Sequence, residues 1–474
     1  MRKLLGNFLY QASYQLMIII LPILTIPIVS RALGPEGIGT WNYIQSVMNY
    51  FLLLAGLGLS NYGIREIAIV SKNKPNLSKK FWELEGFNFL FTSVTSAAYI
   101  VVVSFMQHRE LYYIQSLVLI GSLLDITWFF SGIEDFKKIM LSGALVKIVS
   151  FVMIIFLVKD QNDLKWYILI QSLSVLCSQA VLWFFIKDKI LFVKVSIKDI
   201  TKHIIPASRF FISKIAMTIY MNLNKTLLGI MTTMTIVGYY SNSLTLVTLS
   251  GSLITALNTV LIPRMSKMYA DKNEKKLISG LEDSLHFQIF LTIPIAFGIV
   301  LISPKLVDWF FGEEFRFIKN IIPLLAPVVI VQSLHSGIAA QYLIPKNDMR
   351  SYNLTVIFGA LVSLLCNLIF IPIIGIYGAV LATIMGQTTL CVVRVYVLLR
   401  NTEFRFNTKL IFNYIISSFS MMIVIGFFTK SFPSSWGTTF IQIILGFLFY
   451  MVVTMLCKSN PLFKIWTRIR RERQ

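Results

Sequence analysis

Apolar residues run through this chain in stretches of about twenty, broken by short polar turns such as Gly34-Pro35-Glu36-Gly37. A helix of that length, rising about 1.5 Å per residue, crosses the roughly 30 Å of hydrocarbon in a bilayer. The runs lack both sustained a/d heptads and segments of about ten residues in strict alternation, which excludes a coiled coil and a membrane β-barrel. Fourteen spans are predicted: 8–30, 38–60, 84–106, 112–132, 139–158, 164–186, 206–230, 236–262, 284–304, 321–344, 352–372, 376–399, 410–429 and 437–457.

The basic residues test that count. With the first residues inside, and Arg209 and Lys165 counted with the loops they border, the alternate segments that become cytoplasmic hold 31 of the 43 Lys and Arg, and the outer segments hold 8. A missed span would invert the bias downstream of it, so the pattern supports fourteen spans with both termini cytoplasmic. Composition agrees: 56% of the 474 residues are hydrophobic and 14% are charged, against about 25% charged in a soluble domain. The net charge of +21 then reads as basic loops on anionic headgroups, and nucleic acid is not expected as a partner. Cys177, Cys366, Cys391 and Cys457 are scattered in or beside apolar runs, as small fillers and not as disulfides or metal ligands. Arg2 and Lys3 precede no short h-region with a cleavage site, so the first run is expected to stay as a span.

Outer loops are short, the longest being Ser303–Asn320, and leave no room for an extramembrane enzyme domain. The connections near 61–83, 187–205 and 264–283 mix charge with apolar residues as interfacial helices do. Self-similarity links spans six apart. Residues 31–46 (RALGPEGIGTWNYIQS) echo 226–243 (TLLGIMTTMTIVGYYSNS), and Gly-Ala-Leu-Val recurs at 143–146 and 359–362. Six is even, so the repeats share an orientation. The expected fold is an all-α polytopic membrane protein: two like-oriented six-helix lobes around a central cavity, plus two appended helices. The parts are an N-lobe at 1–186, a cytoplasmic linker at 187–205, a C-lobe at 206–400, appended helices at 401–457 and a basic cytoplasmic tail at 458–474. Two such lobes suit alternating access, and Pro22, Pro27, Pro294, Pro323 and Pro327 either permit bending or reflect the tolerance of membrane helices for proline.

Charges inside spans are the candidate chemistry, because one costs roughly 2.5–3.5 kcal/mol at the bilayer centre. Lys214 and Lys225 lie about three turns apart on one face of the seventh span, with Thr218 and Asn222 near the line between them. That stripe should face water or protein. Asp125, Lys147 and Lys214 all fall about 10–12 Å from the inner ends of their spans. Asp125 is expected to neutralise Lys147, with Lys214 facing the cavity; the alternatives are a purely structural ion pair and lysines that snorkel to the interface. Arg31 either lines the cavity or anchors at the interface, and Arg394 reads as an anchor. Cationic groups beside a cavity suit an anionic substrate, a diphosphate in particular. The sequence has no H-E-x-x-H, G-x-S-x-G, Walker A or D-x-D motif, and His108, His203, His286 and His335 are far apart. No enzyme activity, metal or cofactor is expected, and energy would come from an ion gradient or from the substrate's own.

Six segments carry a family resemblance: 31–46, GLGLSNYGIREIA (56–68), DITWFFSGIEDFKKI (125–139), VGYYSNS (237–243), VLIPRMS (260–266) and YGAVLAT (377–383). They resemble the polysaccharide flippases of the Wzx type, within the multidrug/oligosaccharidyl-lipid/polysaccharide exporter superfamily, in order over nearly the whole chain. The resemblance implies a twelve-helix core with two further helices. It also implies transport of undecaprenyl-diphosphate-linked repeat units from the inner to the outer leaflet of a bacterial cytoplasmic membrane, for O-antigen, capsule or a related polymer. Partners would be that lipid-linked oligosaccharide, membrane lipids and, loosely, polymer-assembly enzymes. The substrate-binding residues would be Lys214, Arg31, Lys225, Lys147, Asn222 and Asn224, with Asp125 and Lys147 in coupling. The family commonly has an acidic residue in Y-x-x-x-D-K-x-x-L-G; here Asn224 stands there, beside Lys225, and cannot take a proton. A cation-coupled multidrug or metabolite antiporter is the alternative, though it would favour acidic sites. A membrane glycosyltransferase or polymerase would need acidic catalytic groups or a large outer loop.

Overall fold

The computed structural model describes residues 2–271 and 273–461. Among them every regular element is helical, with no strand. Eleven helices are long and apolar enough to cross a membrane, or thirteen if each of two bent pairs counts as one span. The first of these, α1 (Arg2–Gly56), is itself two helices that meet at Gly34, whose φ of 63° breaks the helical path. Splitting it brings the upper figure to the fourteen expected.

The chain separates into two compact units, Met1–Thr226 and Leu227–Gln474. The expected lobe boundary lay in the linker at 187–205. The contacts instead carry most of α10 (Ile204–Met231) into the first unit, for reasons visible at the site below.

In the first unit α1 is followed by α2 (Leu59–Val70) and α3 (Lys74–Val103). Gly58 makes the corner between α1 and α2. Its φ is +79°, and a Cβ there would lie 2.5 Å from the Ala207 carbonyl and 2.8 Å from the Phe211 nitrogen. Only glycine fits both the left-handed backbone and that approach. Helix α2 buries Ile67 and leaves Ile69 exposed. Asn73 caps α3 by accepting from the Asn76 amide, and Pro75 stands in the first turn, where a missing N–H costs nothing. The fourth predicted span is three pieces, α4 (Arg109–Gln115), α5 (Leu117–Leu123) and α6 (Thr127–Gly132). Helices α7 (Phe136–Leu157) and α8 (Leu164–Phe184) follow, and the short α9 (Ile197–Thr201) leads to α10. The aromatic part of DITWFFSG is core: Trp128 stacks on Phe81 at 5.5 Å, and Phe129 and Phe130 are fully buried.

The second unit runs from α11 (Met234–Ala270) and α12 (Glu274–Phe310) through α13 (Ile318–Leu325), α14 (Val328–Ile338), α15 (Met349–Ile374) and α16 (Ile376–Asn401) to α17 (Thr408–Phe428) and α18 (Trp436–Leu456). The last two are the helices expected as appended. They are packed on α12: Tyr450 on α18 donates to the Phe290 carbonyl at 2.8 Å, and Phe290 meets the Tyr414 ring edge-on at 5.3 Å. The Lys305 ammonium caps the far end of α17 by donating to the carbonyls of Thr429, Lys430 and Phe432. All four cysteines are free thiols, with Cys391 buried and Cys177 and Cys457 exposed. The basic tail expected from 458 lies, beyond residue 461, outside the described residues.

Candidate functional site

The first unit contains a polar cavity of about 420 Å³, and the break in the fourth span shapes it. Between α5 and α6 the helix is open from Leu124 to Ile126, which frees backbone carbonyls inside an apolar layer, where each must find a donor. Asn88 on α3 supplies two bonds, its Nδ2 donating to the carbonyls of Ser122 at 3.0 Å and Leu123 at 3.2 Å. Trp183 Nε1 donates to the Leu124 carbonyl at 2.9 Å, and Trp128 Nε1 to that of Asp125 at 2.8 Å. The Asp125 carboxylate starts α6, accepting from the Thr127 amide at 2.9 Å and its hydroxyl at 2.6 Å.

Around this break the cavity wall carries Trp41 and Gln45 from α1, Asn88, Ser122, Asp125, Gln171 and Gln179 from α8, and Lys214 from α10. The two parts of the α9–α10 segment, Ile197–Phe211 and Lys214–Met231, meet at 56°, so Lys214 opens the second part. Its side chain is exposed, and among the described residues no ion pair or hydrogen bond engages its ammonium. An unengaged ammonium, a carboxylate, an indole and several amides can together bind an anion and the hydroxyls and ring faces attached to it.

Above Lys214 the polar stripe of α10 faces protein. Asn49 Nδ2 donates to Asn222 Oδ1 at 2.9 Å, and Asn222 Nδ2 donates to the Thr218 carbonyl. The hydroxyls of Ser46 and Tyr50 lie 2.9 and 3.1 Å from that of Thr226, and the Lys225 ammonium donates to Asn42 Oδ1 at 2.9 Å. Residues 42, 46, 49 and 50 repeat at helical spacing on α1, matched by 222, 225 and 226 on α10. This seam holds α10 in the first unit. It continues as a line of amides, with Gln45 donating to Asn49 at 3.1 Å and Gln115 on α4 donating to Gln45 at 2.9 Å.

Lys214 and Asp125 are thus brought to one cavity. Lys147 is not. It is half-buried on α7, and no ion pair joins it to Asp125, whose Oδ1 accepts both bonds from Thr127. The expected Asp125–Lys147 neutralisation is therefore corrected: the two residues form no ion pair, and the bonds to the carboxylate come from within its own turn. Arg31 is exposed and outside the cavity wall, Lys225 and Asn222 belong to the seam, and Asn224 is buried. Arg394, read as an interfacial anchor, is buried in the second unit, where it donates to the His335 carbonyl at 2.9 Å and to Thr355 at 3.1 Å beneath the Tyr352 ring.

Sequence reasoning missed a second cluster of the first unit. Glu83 on α3 is 2% exposed and accepts from Lys202 at 2.7 Å. His203 lies between Glu83, 3.1 Å away, and the Tyr62 hydroxyl, 2.7 Å away. The cluster ties α2, α3 and the start of α10 together. Its only signal was two carboxylates, Glu83 and Glu85, at the edge of an apolar run.

The polysaccharide biosynthesis protein family matches residues 4–269, more than half of the chain. An Escherichia coli (strain K12) protein described as an O-antigen transporter is 24% identical over 395 residues, 82% of this chain and 94% of that one. A Haloferax volcanii protein described as the low-salt glycan biosynthesis flippase Agl15 is 26% identical over 246 residues, 52% of each. Among solved structures, the lipid II flippase MurJ in an inward closed conformation superposes with a TM-score of 0.73 at 17% identity, covering 95% of this chain and 98% of that one. That likeness shows a shared all-helical membrane fold, and the match to the family shows more: this chain belongs to the polysaccharide biosynthesis protein family of membrane transporters.

Proposed function

We propose that this protein is a lipid-linked oligosaccharide flippase that moves undecaprenyl-diphosphate-linked repeat units from the inner to the outer leaflet of a bacterial cytoplasmic membrane. The observation that carries the reading is the cavity that gathers Lys214, Trp41 and the amides of Gln45, Gln171 and Gln179 in one wall. The Lys214 ammonium suits a diphosphate, through charge-assisted hydrogen bonds. Amides suit sugar hydroxyls as donor and acceptor at once, and Gln179 Oε1 is buried without a partner, ready to accept one. Trp41 offers an aromatic face to a pyranose. The names of the Escherichia coli and Haloferax relatives support the same substrate class. Transport proceeds by alternating access, with both termini cytoplasmic.

Complementation tests this reading. Bacteria lacking their own repeat-unit flippase, and supplied with this chain, regain surface polymer. Lys214→Ala at matched membrane levels loses most of it, and Lys214→Arg, which keeps the charge, retains it. Polymer undiminished in Lys214→Ala removes the cation from the site. No polymer in any of several hosts that make different repeat units argues for the antiporter, for which drug efflux is then the assay.

A further inference from the structure

Glu85 lies on α3, one turn before Asn88, and is 7% exposed. One of its oxygens, Oε2, is fully buried without a hydrogen-bond partner. Asn88 is within hydrogen-bonding reach of the carboxyl group, but its amide hydrogens already serve the Ser122 and Leu123 carbonyls. A carboxylate of like charge, Asp125, is near Glu85. Lys80 is engaged with Glu66 and Glu83, Lys202 with Glu83 and Asp199, and Lys189 with Asp135, while Lys79 is exposed and no ion pair joins it to Glu85. His203 is held by Glu83 and Tyr62. Glu83 is two residues earlier and so about 200° around the helix, on another face. Lys214 stands in the cavity wall with Asp125, and no ion pair joins it to Glu85.

An ionised carboxylate cannot persist in such a place. It would be desolvated, with one oxygen bare, beside a second carboxylate that already holds the nearest strong donors. The group that fits is a neutral acid.

We propose that Glu85 is a proton-binding site of this transporter, un-ionised in this conformation and exchanging its proton with the adjoining cavity. On release the O–H bond breaks and the proton passes to water in the cavity, whose wall includes both Asn88 and Asp125. The carboxylate left behind then draws on the Asn88 amide, loosening the caps on Ser122 and Leu123. Proton release thereby couples to the break between α5 and α6 and to the cavity beside it. The site itself stands apart from the flippase reading, and its use in transport rests on that reading.

Infrared difference spectroscopy on the full-length protein in lipid nanodiscs, scanned in pH, tests the site. A carboxylic-acid carbonyl band is expected at neutral pH in the wild type and in Asp125→Asn, absent in Glu85→Gln and shifted in Glu85→Asp. Absence of the band in the wild type, or its persistence in Glu85→Gln, overturns the proposal. So does a band that disappears when potassium is replaced by sodium, since a metal ion would then be the ligand. Should Glu85→Gln fail to accumulate, the band in the wild type and its shift in Glu85→Asp decide the matter. For transport, Glu85→Gln at wild-type membrane levels is expected to lose surface polymer while Glu85→Asp keeps it. Full polymer with Glu85→Gln overturns the coupling. Failure of the wild type to complement counts against the flippase reading alone and leaves the infrared result standing.

Discussion

Asn88→Ala is the substitution that most directly tests how the cavity is held. It removes the two bonds to the Ser122 and Leu123 carbonyls, at 3.0 and 3.2 Å, and the acceptor for the Thr92 hydroxyl at 3.2 Å. Hydrogen bonds between membrane helices are worth about 0.6 kcal/mol on average and up to about 1.7. A buried acceptor left unpaired costs about 1–3 kcal/mol where water cannot reach it. The cavity admits water near Ser122, which lines it, so one of the two carbonyls can be rescued and the other not. Asn88→Ala should therefore cost about 1–3 kcal/mol. Thr92→Ala, which breaks only the last bond, should cost about 0.5 kcal/mol and serves as the control. Denaturant unfolding of the purified protein in detergent measures both, and complementation measures what happens to transport. The reasoning fails if Asn88→Ala is as stable as Thr92→Ala but transports poorly. Asn88 would then act on the substrate and not as the cap of a broken helix.

Lys225→Met removes an ammonium whose recorded bond is to an amide, Asn42, with no carboxylate against it. Removing a charge that has no counter-ion relieves its desolvation cost, which about offsets the bond that Asn42 loses. Unfolding resistance should hold or rise while surface polymer falls, and a clear loss of stability would show that the α1–α10 seam depends on the charge. Gly58→Ala forces a side chain into left-handed backbone, at about 1–2 kcal/mol, as well as against the Ala207 carbonyl. It should lower yield and thermal stability, whereas Gly298→Ala, with nothing within 4 Å of its new Cβ, should be neutral or stabilising. Equal behaviour of the two glycine variants in a thermal-shift assay would contradict the close approach of α1 and α10.

The sequence by itself determined that this is an all-helical membrane protein and where its spans lie. These follow from one-dimensional quantities: the length of an apolar run against the thickness of hydrocarbon, and the sign of charge in successive loops. It also marked the stripe on α10 as one to face water or protein, since the cost of a charge in lipid needs no knowledge of the partner. The partner's identity was another matter. Asn42, Ser46, Asn49 and Tyr50 meet that stripe because two helices about 180 positions apart pack side by side. That packing, with the Gly58 corner, also set the unit boundary at 226 and not in the linker. Asp125 shows the limit most plainly. Depth suggested Lys147 as its counter-charge, but depth leaves the angle around each helix axis open, and the helix broke at Leu124 so that Thr127 came within reach first. Glu85 carried no motif at all; its meaning lies in the absence of a donor at one oxygen. Only the tertiary structure decides such things, because pairing and burial depend on what the rest of the chain brings alongside.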